Sequence, residues 1–195
     1  EFRRVLFRSR VGYRRSDDRT AAWLVPRGFA LVRVDVRGTG ESGGIIVNEY
    51  DLPEQADVAP LVRWISRQPW CNGKVGMRGI SYGSVNAFQA AAKGIPELKA
   101  IVAAMGTDNG YTDDVHTLGG CVINEKVVWG TIWKRTMIDP PDPELVGARW
   151  RGIWLERLRA QLPLVSEWMR HQLVDQYWRD RIPSDLSKVK CRSEE

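Results

Sequence analysis

The stretch GKVGMRGISYGSVNAFQAAAKG, residues 73–94, decides the fold of this 195-residue chain. Its first part, GKVGMRGI, predicts a short apolar strand, and its last part predicts a small-residue helix that ends at Gly94. Between them lies GISYG, residues 79–83, a G-x-S-x-G pattern. Strand, serine turn and helix in this order are typical of a nucleophile elbow, whose two glycines leave room for a sharp turn. We therefore predict that Ser81 is a nucleophile.

The residue after this serine is expected to supply a second part of the chemistry. When a serine attacks a carbonyl, the oxyanion that forms needs hydrogen-bond donors, and the backbone N–H after the nucleophile is one of them. The N-terminus of the following helix adds positive potential at the same point. We therefore expect the N–H of Tyr82 to hold an oxyanion. The alternative interpretation is a chance G-x-S-x-G in a glycine-rich turn.

The segments around the elbow alternate between strand and helix. GFALVRVDVRG predicts a buried strand over about residues 29–36, and LKAIVAAMG predicts another. Between the first strand and the elbow, DLPEQADVAPLVRWISRQ predicts a helix with an apolar face and a proline in its first turn. Strand, helix, strand, helix, strand implies a parallel sheet with right-handed crossovers. The predicted fold class is α/β.

A different pattern begins after Gly106. Strands are expected to disappear, and residues 125–181 predict helices that are broken at DPPDPEL and QLPL. We interpret this region as a helical insertion over a sheet, with its tryptophans packing the insertion's own core. The alternative is that some of them line an apolar substrate pocket. Six of the nine tryptophans lie here: Trp129, Trp133, Trp150, Trp154, Trp168 and Trp178.

A second glycine motif, GTGESG, offers a competing function. It matches G-x-G-x-x-G at Gly38, Gly40 and Gly43. A dinucleotide site also needs a helix that starts inside the motif, and an acid about 20 residues later at a strand end. Here no helix is expected before about Leu52, and Asp57 falls inside that helix. We therefore interpret the motif as a tight turn that leaves a buried strand.

Composition narrows the class of protein further. The chain is 43% hydrophobic and 27% charged, which fits one domain with a sizeable core. No apolar run approaches the roughly 18 residues of a membrane span. The net charge of +5 is spread along the chain, so neither a nucleic acid nor a membrane is expected as a partner. Cys71, Cys121 and Cys191 form no C-x-x-C pair, which favours a reducing compartment, the cytoplasm, and predicts no zinc site.

The two ends of the chain are unusual. RSEE, at 192–195, can be encoded by a sequence whose reverse complement encodes LFRS, at 6–9. Such symmetry is typical of a sequencing adapter translated on both sides of an insert. We therefore expect Glu1–Ser9 and Arg192–Glu195 to be non-native and the native protein to be cut at both ends. The alternative is a basic, disordered N-terminal arm.

Three stretches closely resemble the CocE/NonD hydrolases: GFALVRVDVRGTGESGG, QPWCNGKVGMRGISYGS and DDVHTLGGC. This family of α/β-hydrolases includes cocaine esterase, acyl esterases and acylases, and X-prolyl dipeptidyl aminopeptidases. The resemblance runs from about Tyr13 to Lys190. It implies a partial α/β-hydrolase core at 10–109, a helical cap at 110–183 and a return toward a core strand at 184–191. It implies no metal and no organic cofactor.

The resemblance also implies a second oxyanion donor. In the family, a tyrosine hydroxyl from an early loop assists the N–H after the serine, and VGYRRSDDRT resembles that loop. This places the hydroxyl at Tyr13, although Gly12 stands where the family has proline; the alternative is a surface tyrosine. Ser84 is another departure, because the family commonly has glycine there.

The triad acid and histidine are expected to be absent from this chain. In α/β-hydrolases they follow the nucleophile and lie beyond the cap. His116 precedes the predicted cap helices, and His171 is expected to pack inside one of them. Asp113 and Asp114 also come too early. We therefore expect a serine hydrolase whose 195-residue segment, on its own, has negligible esterase activity.

The substrate class stays open between two members of the family. An esterase or acylase binds apolar acyl groups, whereas an X-prolyl dipeptidyl peptidase also anchors a free amine, for which Asp108, Asp113 and Asp114 are candidates. We favour an esterase or acylase that acts on a small-molecule ester or amide, with a short-peptide substrate as the alternative. A nucleotide-binding or non-enzymatic α/β domain is the distant alternative. The sequence does not predict an oligomeric state.

Overall fold

The computed structural model describes residues 11–183, 186–189 and 192–194, with the side chains of 11–17, 188 and 192–194 left aside. The helices and strands in chain order are α1 Val11–Leu24, α2 Leu52–Ser66, β1 Val75–Ile80, α3 Tyr82–Ala92, β2 Leu98–Ala104, β3 Thr117–Leu118, β4 Cys121–Val122, α4 Glu125–Ile138, α5 Pro143–Val146, α6 Trp150–Arg159, α7 Leu164–Trp168, α8 Gln176–Arg179 and β5 Arg192–Glu194.

These residues divide into two compact units. The first takes its described residues from Glu1–Val47 and from Trp133–Leu162. The second takes them from Asn48–Ile132 and from Pro163–Glu195, and it contains the elbow. The boundaries predicted for core and cap, at 109 and 183, stay a prediction.

The second unit is built on a parallel sheet in the order β1-β2-β5. β1 pairs with β2 from Val75↔Leu98 to Ile80↔Ala104, with a register shift between Val75 and Gly76. Both faces of a parallel strand pair are normally covered by helices. The predicted α/β class, with strand, helix, strand in the order β1-α3-β2, is therefore confirmed.

The small residues of α3 are the reason it packs closely on this sheet. Ala87, Ala90 and Ala91 are buried and form one core with Val62 of α2 and Ile101 of β2. Alanine side chains let a helix axis approach a sheet without leaving voids. The predicted apolar face of α2 lies in the same core, and Pro53 stands in its first turn as expected.

The last strand, β5, coincides with residues that we predicted to be non-native. Ala100↔Arg192, Ile101↔Ser193 and Val102↔Glu194 are parallel partners. The return of the chain toward the sheet, which we predicted at 184–191, stays a prediction. Of the expected lead-in at 184–191, residues 184, 185, 190 and 191 lie outside the described part of the chain.

The first unit corrects one predicted strand. Residues 29–36 do not form a strand; only Val32 makes an isolated bridge, and Phe29 and Val34 are exposed. A strand exists only with a hydrogen-bonded neighbour, and no named strand of the described residues pairs with this segment. The predicted glycine turn that follows is confirmed, because Gly38 and Gly40 have positive φ and the Gly38 N–H donates to the Gly43 carbonyl at 2.9 Å.

The helical region from 125 to 181 is confirmed, with breaks between Ile138 and Pro143 and between Arg159 and Leu164. The expectation that strands disappear after Gly106 is wrong, because β3 and β4 form a short antiparallel hairpin. Gly119 and Gly120, which join them, both have positive φ. Two such residues in succession form the tight turn that suits a two-residue hairpin.

Candidate active site

The backbone at Ser81 has the geometry of a nucleophile elbow. Ser81 has φ 53° and ψ −117° and lies between the end of β1 and the start of α3. A non-glycine residue in this region carries roughly 1–3 kcal/mol of strain, which the surrounding structure must hold. The Ser81 N–H donates to the Ala104 carbonyl at 2.9 Å, and the Ser81 carbonyl accepts from Ser84 N–H at 2.8 Å. These bonds tie the turn to β2 and to α3, and Ser81 itself is exposed.

The two glycines of the motif differ in what they do. A Cβ on Gly79 would overlap the carbonyl of Gly83 and would lie 2.6 Å from the Ser84 nitrogen, so only glycine fits there. A Cβ on Gly83 would meet nothing within 4 Å. The elbow therefore requires glycine at position 79. At position 83 a side chain has room, and only the backbone of Gly83 contacts Gly79.

Ser84 lies on the inner side of the elbow. Its side chain is fully buried, and its Oγ has no hydrogen-bond partner among the described atoms. It occupies the space beside Gly106, because a Cβ at Gly106 would overlap Ser84 Oγ and lie 2.6 Å from Ser84 Cβ. Ser84 is thus accommodated by the glycine at position 106, which follows β2.

Tyr82, the predicted oxyanion residue, opens α3 and is held by α2. Its hydroxyl donates to Oε1 of Glu54, and Asn86 Nδ2 donates to the same oxygen at 3.2 Å. The ring of Tyr82 stacks on Tyr50, with 4.7 Å between centroids. Burial of Glu54 raises the pKa of its carboxyl to about 7. The side chain after the nucleophile is therefore fixed by a buried acid and an aromatic partner.

A small cavity lies close to this elbow within the second unit. Val85 and Tyr50 both line this cavity. Val85 connects it to the elbow, because its N–H donates to the Ser81 carbonyl at 3.2 Å. Its other lining residues include three acidic side chains, one histidine, one arginine and one tryptophan. The full lining is Glu49, Tyr50, Val85, Asp108, Gly110, Asp114, His116, Trp178, Arg181, Ile182 and Pro183.

His116 and Glu49 form a buried pair at the wall of this cavity. His116 Nε2 contacts Glu49 Oε1, and both residues are 1% exposed. Trp129 Nε1 donates to the other oxygen of Glu49 at 2.6 Å, and the ring of Trp168 lies edge-on to His116 at 4.5 Å. The Nδ1 of His116 has no hydrogen-bond partner among the described atoms.

His171 has a carboxylate partner of its own. Its Nδ1 lies 2.5 Å from Asp175 Oδ2, and its ring stacks on Tyr177 at 4.2 Å. The expectation that it lies inside a helix is wrong, because α7 ends at Trp168 and the His171 carbonyl accepts from Trp178 Nε1 at 2.7 Å instead. In the described part of the chain, no hydrogen bond joins either histidine to Ser81.

Tyr13 lies in α1, not in a loop, so the expected loop is wrong. The segment 11–24 contains no proline, and Gly12 does not restrict the backbone before Tyr13 as a proline would, so the helix continues through it. Tyr13 and Ser81 belong to different units. The role of the Tyr13 hydroxyl therefore stays a prediction.

Two buried acids of the second unit were missed from the sequence. Glu54 and Glu49 are acidic residues in a stretch that reads as an exposed turn and a helix start, yet they are 5% and 1% exposed. Nothing in the local pattern marks them, because their partners Tyr82 and His116 lie far away along the chain. Of the six tryptophans in the helical region, Trp178 lines the cavity, whereas Trp150 and Trp154 stack on each other at 6.0 Å.

The described residues also bear on three other kinds of site. No group of three or more histidine, cysteine, aspartate or glutamate side chains is arranged there to hold a metal ion. α2 begins at Leu52, after the glycine turn, and Asp57 lies inside it, as predicted. Among the same residues, no helix is long and apolar enough to cross a membrane.

Comparisons with known proteins agree on one family. The model of the family described as X-Pro dipeptidyl-peptidase (S15 family) matches residues 5–193. A putative serine esterase of Mycobacterium bovis is 40% identical over 98 residues, which is 50% of this chain and 16% of the relative. Cocaine esterase of Rhodococcus sp. is 37% identical over 113 residues, 56% of this chain and 19% of the relative.

Longer but weaker matches cover most of the chain. A putative Xaa-Pro dipeptidyl-peptidase of Streptomyces avermitilis is 26% identical over 189 residues, 87% of this chain and 25% of the relative. The crystal structure of a CocE/NonD family hydrolase from Staphylococcus aureus superposes with a TM-score of 0.66 at 24% identity, covering 87% of this chain and 27% of that one. The chain therefore has the fold of part of such a hydrolase and spans a quarter or less of the curated relatives' length.

Proposed function

Because the chain belongs to the X-Pro dipeptidyl-peptidase (S15) family, we propose that Ser81 is the nucleophile of a serine hydrolase that cleaves ester or amide bonds. The observation that carries the proposal is the strained backbone of Ser81 between β1 and α3. A serine at φ 53° is uncommon, and such strain concentrates at active sites. The esterases and peptidases among the relatives support the same reaction class.

The proposed reaction is acyl transfer in two steps. Ser81 Oγ bonds to the substrate carbonyl carbon, its proton passes to a histidine, and that histidine then protonates the departing alcohol or amine. Water repeats the attack on the acyl-enzyme and releases the acid. The Tyr82 N–H holds the oxyanion in each step. The resemblance to the family implies a tyrosine hydroxyl as a second donor, for which Tyr13 stays the predicted residue. The resemblance to the family implies a histidine and an acid that follow the cap.

A fluorophosphonate probe tests the nucleophile. In the full-length gene product that carries this segment, we expect the probe to label Ser81 and the Ser81→Ala variant to lose both labelling and hydrolysis. The 195-residue chain alone is expected to give negligible turnover of a p-nitrophenyl ester, because the triad base is expected outside it. Labelling that persists in Ser81→Ala, or clear Ser81-dependent turnover by the 195-residue chain, would contradict the proposal.

For the substrate class, we propose an acyl esterase or acylase that acts on a small molecule. The relatives with the higher identities, 40% and 37%, are named as esterases, whereas the dipeptidyl-peptidase relative is 26% identical. Free thiols at Cys71 and Cys121 support a reducing, cytoplasmic compartment for it.

A dipeptidyl peptidase is the second candidate, and one observation favours it. Asp108 and Asp114 line the cavity together with Glu49, so carboxylates are present where a substrate amine would need them. Asp113, the third candidate, is exposed and does not line the cavity. It therefore provides a matched control for Asp114.

Two chromogenic substrates separate the candidates. We expect the full-length enzyme to hydrolyse a p-nitrophenyl acyl ester and to leave an X-Pro-p-nitroanilide essentially untouched. If the peptide substrate is cleaved instead, Asp114→Asn should lower its kcat/KM by about 10-fold or more, because hydrogen bonds to charged groups contribute about 1.5–3 kcal/mol. Asp113→Asn should then have no such effect. Efficient cleavage of the peptide substrate with that pattern would replace the esterase proposal.

A further inference from the structure

Glu54 occupies a position that the proposed reaction has not used. It lies in the first turn of α2, is 5% exposed, and sends Oε1 to the hydroxyl of Tyr82. Tyr82 is the residue whose N–H is the proposed oxyanion donor. A buried acid from another helix is therefore bonded to the side chain of the residue on which that step depends.

We propose that Glu54 is a positioning residue for the oxyanion donor: it clamps Tyr82 to α2 and so fixes the direction of the Ser81–Tyr82 peptide N–H. This inference rests on the proposed function. The backbone of Ser81 is already tied to β2 through Ala104 and to α3 through Ser84. The contact between Tyr82 and Glu54 adds a third tie, to α2, at the next residue.

The surroundings of Glu54 fit a clamp for one side chain. Asn86, one helical turn after Tyr82, donates to the same Oε1 at 3.2 Å, so α3 contacts this oxygen at two points. Tyr50, whose φ is 54°, stacks on the Tyr82 ring with 4.7 Å between the ring centroids. Its carbonyl accepts from Gln55 Nε2 at 2.8 Å, which ties Tyr50 to α2 as well.

The charge of Glu54 is compatible with this role. Burial raises the pKa of its carboxyl to about 7, so the acid is partly neutral near neutral pH. A permanently charged carboxylate at this buried position would carry a desolvation penalty. A neutral acid accepts the Tyr82 hydrogen bond through its carbonyl oxygen without that penalty. A glutamine side chain has a similar shape and the same acceptor, which makes Glu54→Gln the conservative variant.

Kinetics of the full-length enzyme give the first test. An oxyanion contact is made in the transition state, so its misalignment lowers kcat and leaves KM unchanged. Losing an oxyanion donor costs about 10²–10³ in kcat, and we expect a displaced donor to cost about 10-fold. Glu54→Leu and Tyr82→Phe should each show this loss, the double variant should add little to either, and Glu54→Gln should stay within about 2-fold of the parent.

A measurement on the 195-residue chain gives the second test, which needs no activity. The chain has five tyrosines, so labelling with ¹⁵N-tyrosine gives few amide signals, and the signal that vanishes in Tyr82→Phe is that of Tyr82. We expect Glu54→Leu to shift or broaden the Tyr82 amide and to leave Tyr111 and Tyr177 in place. Glu54→Gln should retain the parent spectrum.

The outcomes separate this inference from the proposed function. Hydrolysis that survives Ser81→Ala overturns the proposed function, and the Tyr82 amide still decides whether Glu54 fixes that peptide. A Tyr82 amide that does not move in Glu54→Leu overturns the clamp. So does a loss that falls on KM alone, or a Glu54→Gln variant as impaired as Glu54→Leu.

Discussion

Replacing Gly79 by alanine is expected to destroy the elbow and to abolish labelling of Ser81. The added Cβ would overlap the Gly83 carbonyl and approach the Ser84 nitrogen to 2.6 Å. Both are backbone atoms at the start of α3, so neither can rotate away, and the helix must move. Overpacking of this kind costs about 3 kcal/mol or more where the backbone has to shift. Urea denaturation of the 195-residue chain and probe labelling of the full-length enzyme measure the two effects.

Gly83→Ala is the matched control for this prediction. It lies in the same motif and adds the same methyl group, but its Cβ meets nothing within 4 Å. Because alanine is favoured over glycine inside a helix by about 0.5–1 kcal/mol, we expect unchanged or slightly increased stability. Equal losses in Gly79→Ala and Gly83→Ala would show that the described crowding at the elbow is wrong.

A second large effect is expected at Gly106 and should be reversible. Gly106→Ala would press a methyl group against Ser84, whose buried Cβ lies 2.6 Å from the new atom. We expect a loss of about 2 kcal/mol, within the range for overpacked cores. The added change Ser84→Gly removes the obstructing side chain and should restore most of that loss, apart from the cost of a helical glycine.

A double-mutant cycle measures this coupling. The free energies of unfolding of Ser84→Gly, Gly106→Ala and the double variant should give an interaction of about 2 kcal/mol, which is typical of residues in direct contact. Ser84→Gly alone should cost only about 0.5–1 kcal/mol, the penalty for a glycine inside α3, because the Ser84 Oγ it removes is buried without a partner among the described atoms. Additive effects of the two substitutions would contradict the predicted contact.

The elbow could be predicted from the sequence because its information is local. β1, α3 and the role of Gly79 follow from periodicity and from a five-residue motif, and α2 begins at Leu52 as expected. The Gly119-Gly120 pair was also a readable hairpin signal, and it was overlooked. These features depend on residues that are close together along the chain.

The features that could not be predicted depend on distant partners. Residues 29–36 have the composition of a strand, but strand formation needs a neighbour that composition does not supply. Glu54 reads as an ordinary acidic residue in the first turn of a helix, where it would be favoured anyway. Its burial follows from Tyr82 and Asn86, which are 28 and 32 residues away along the chain.

The position of β1 in its sheet has a consequence for handling the protein. Among the described residues, β1 is hydrogen-bonded to β2 on one side only, and the face that points away from α2 and α3 exposes Ile80 and Val102. An open strand edge beside apolar side chains is a template on which further strands add, and such edges drive aggregation. β1, the strand that precedes Ser81, is therefore also the strand through which copies of the isolated chain would be expected to aggregate.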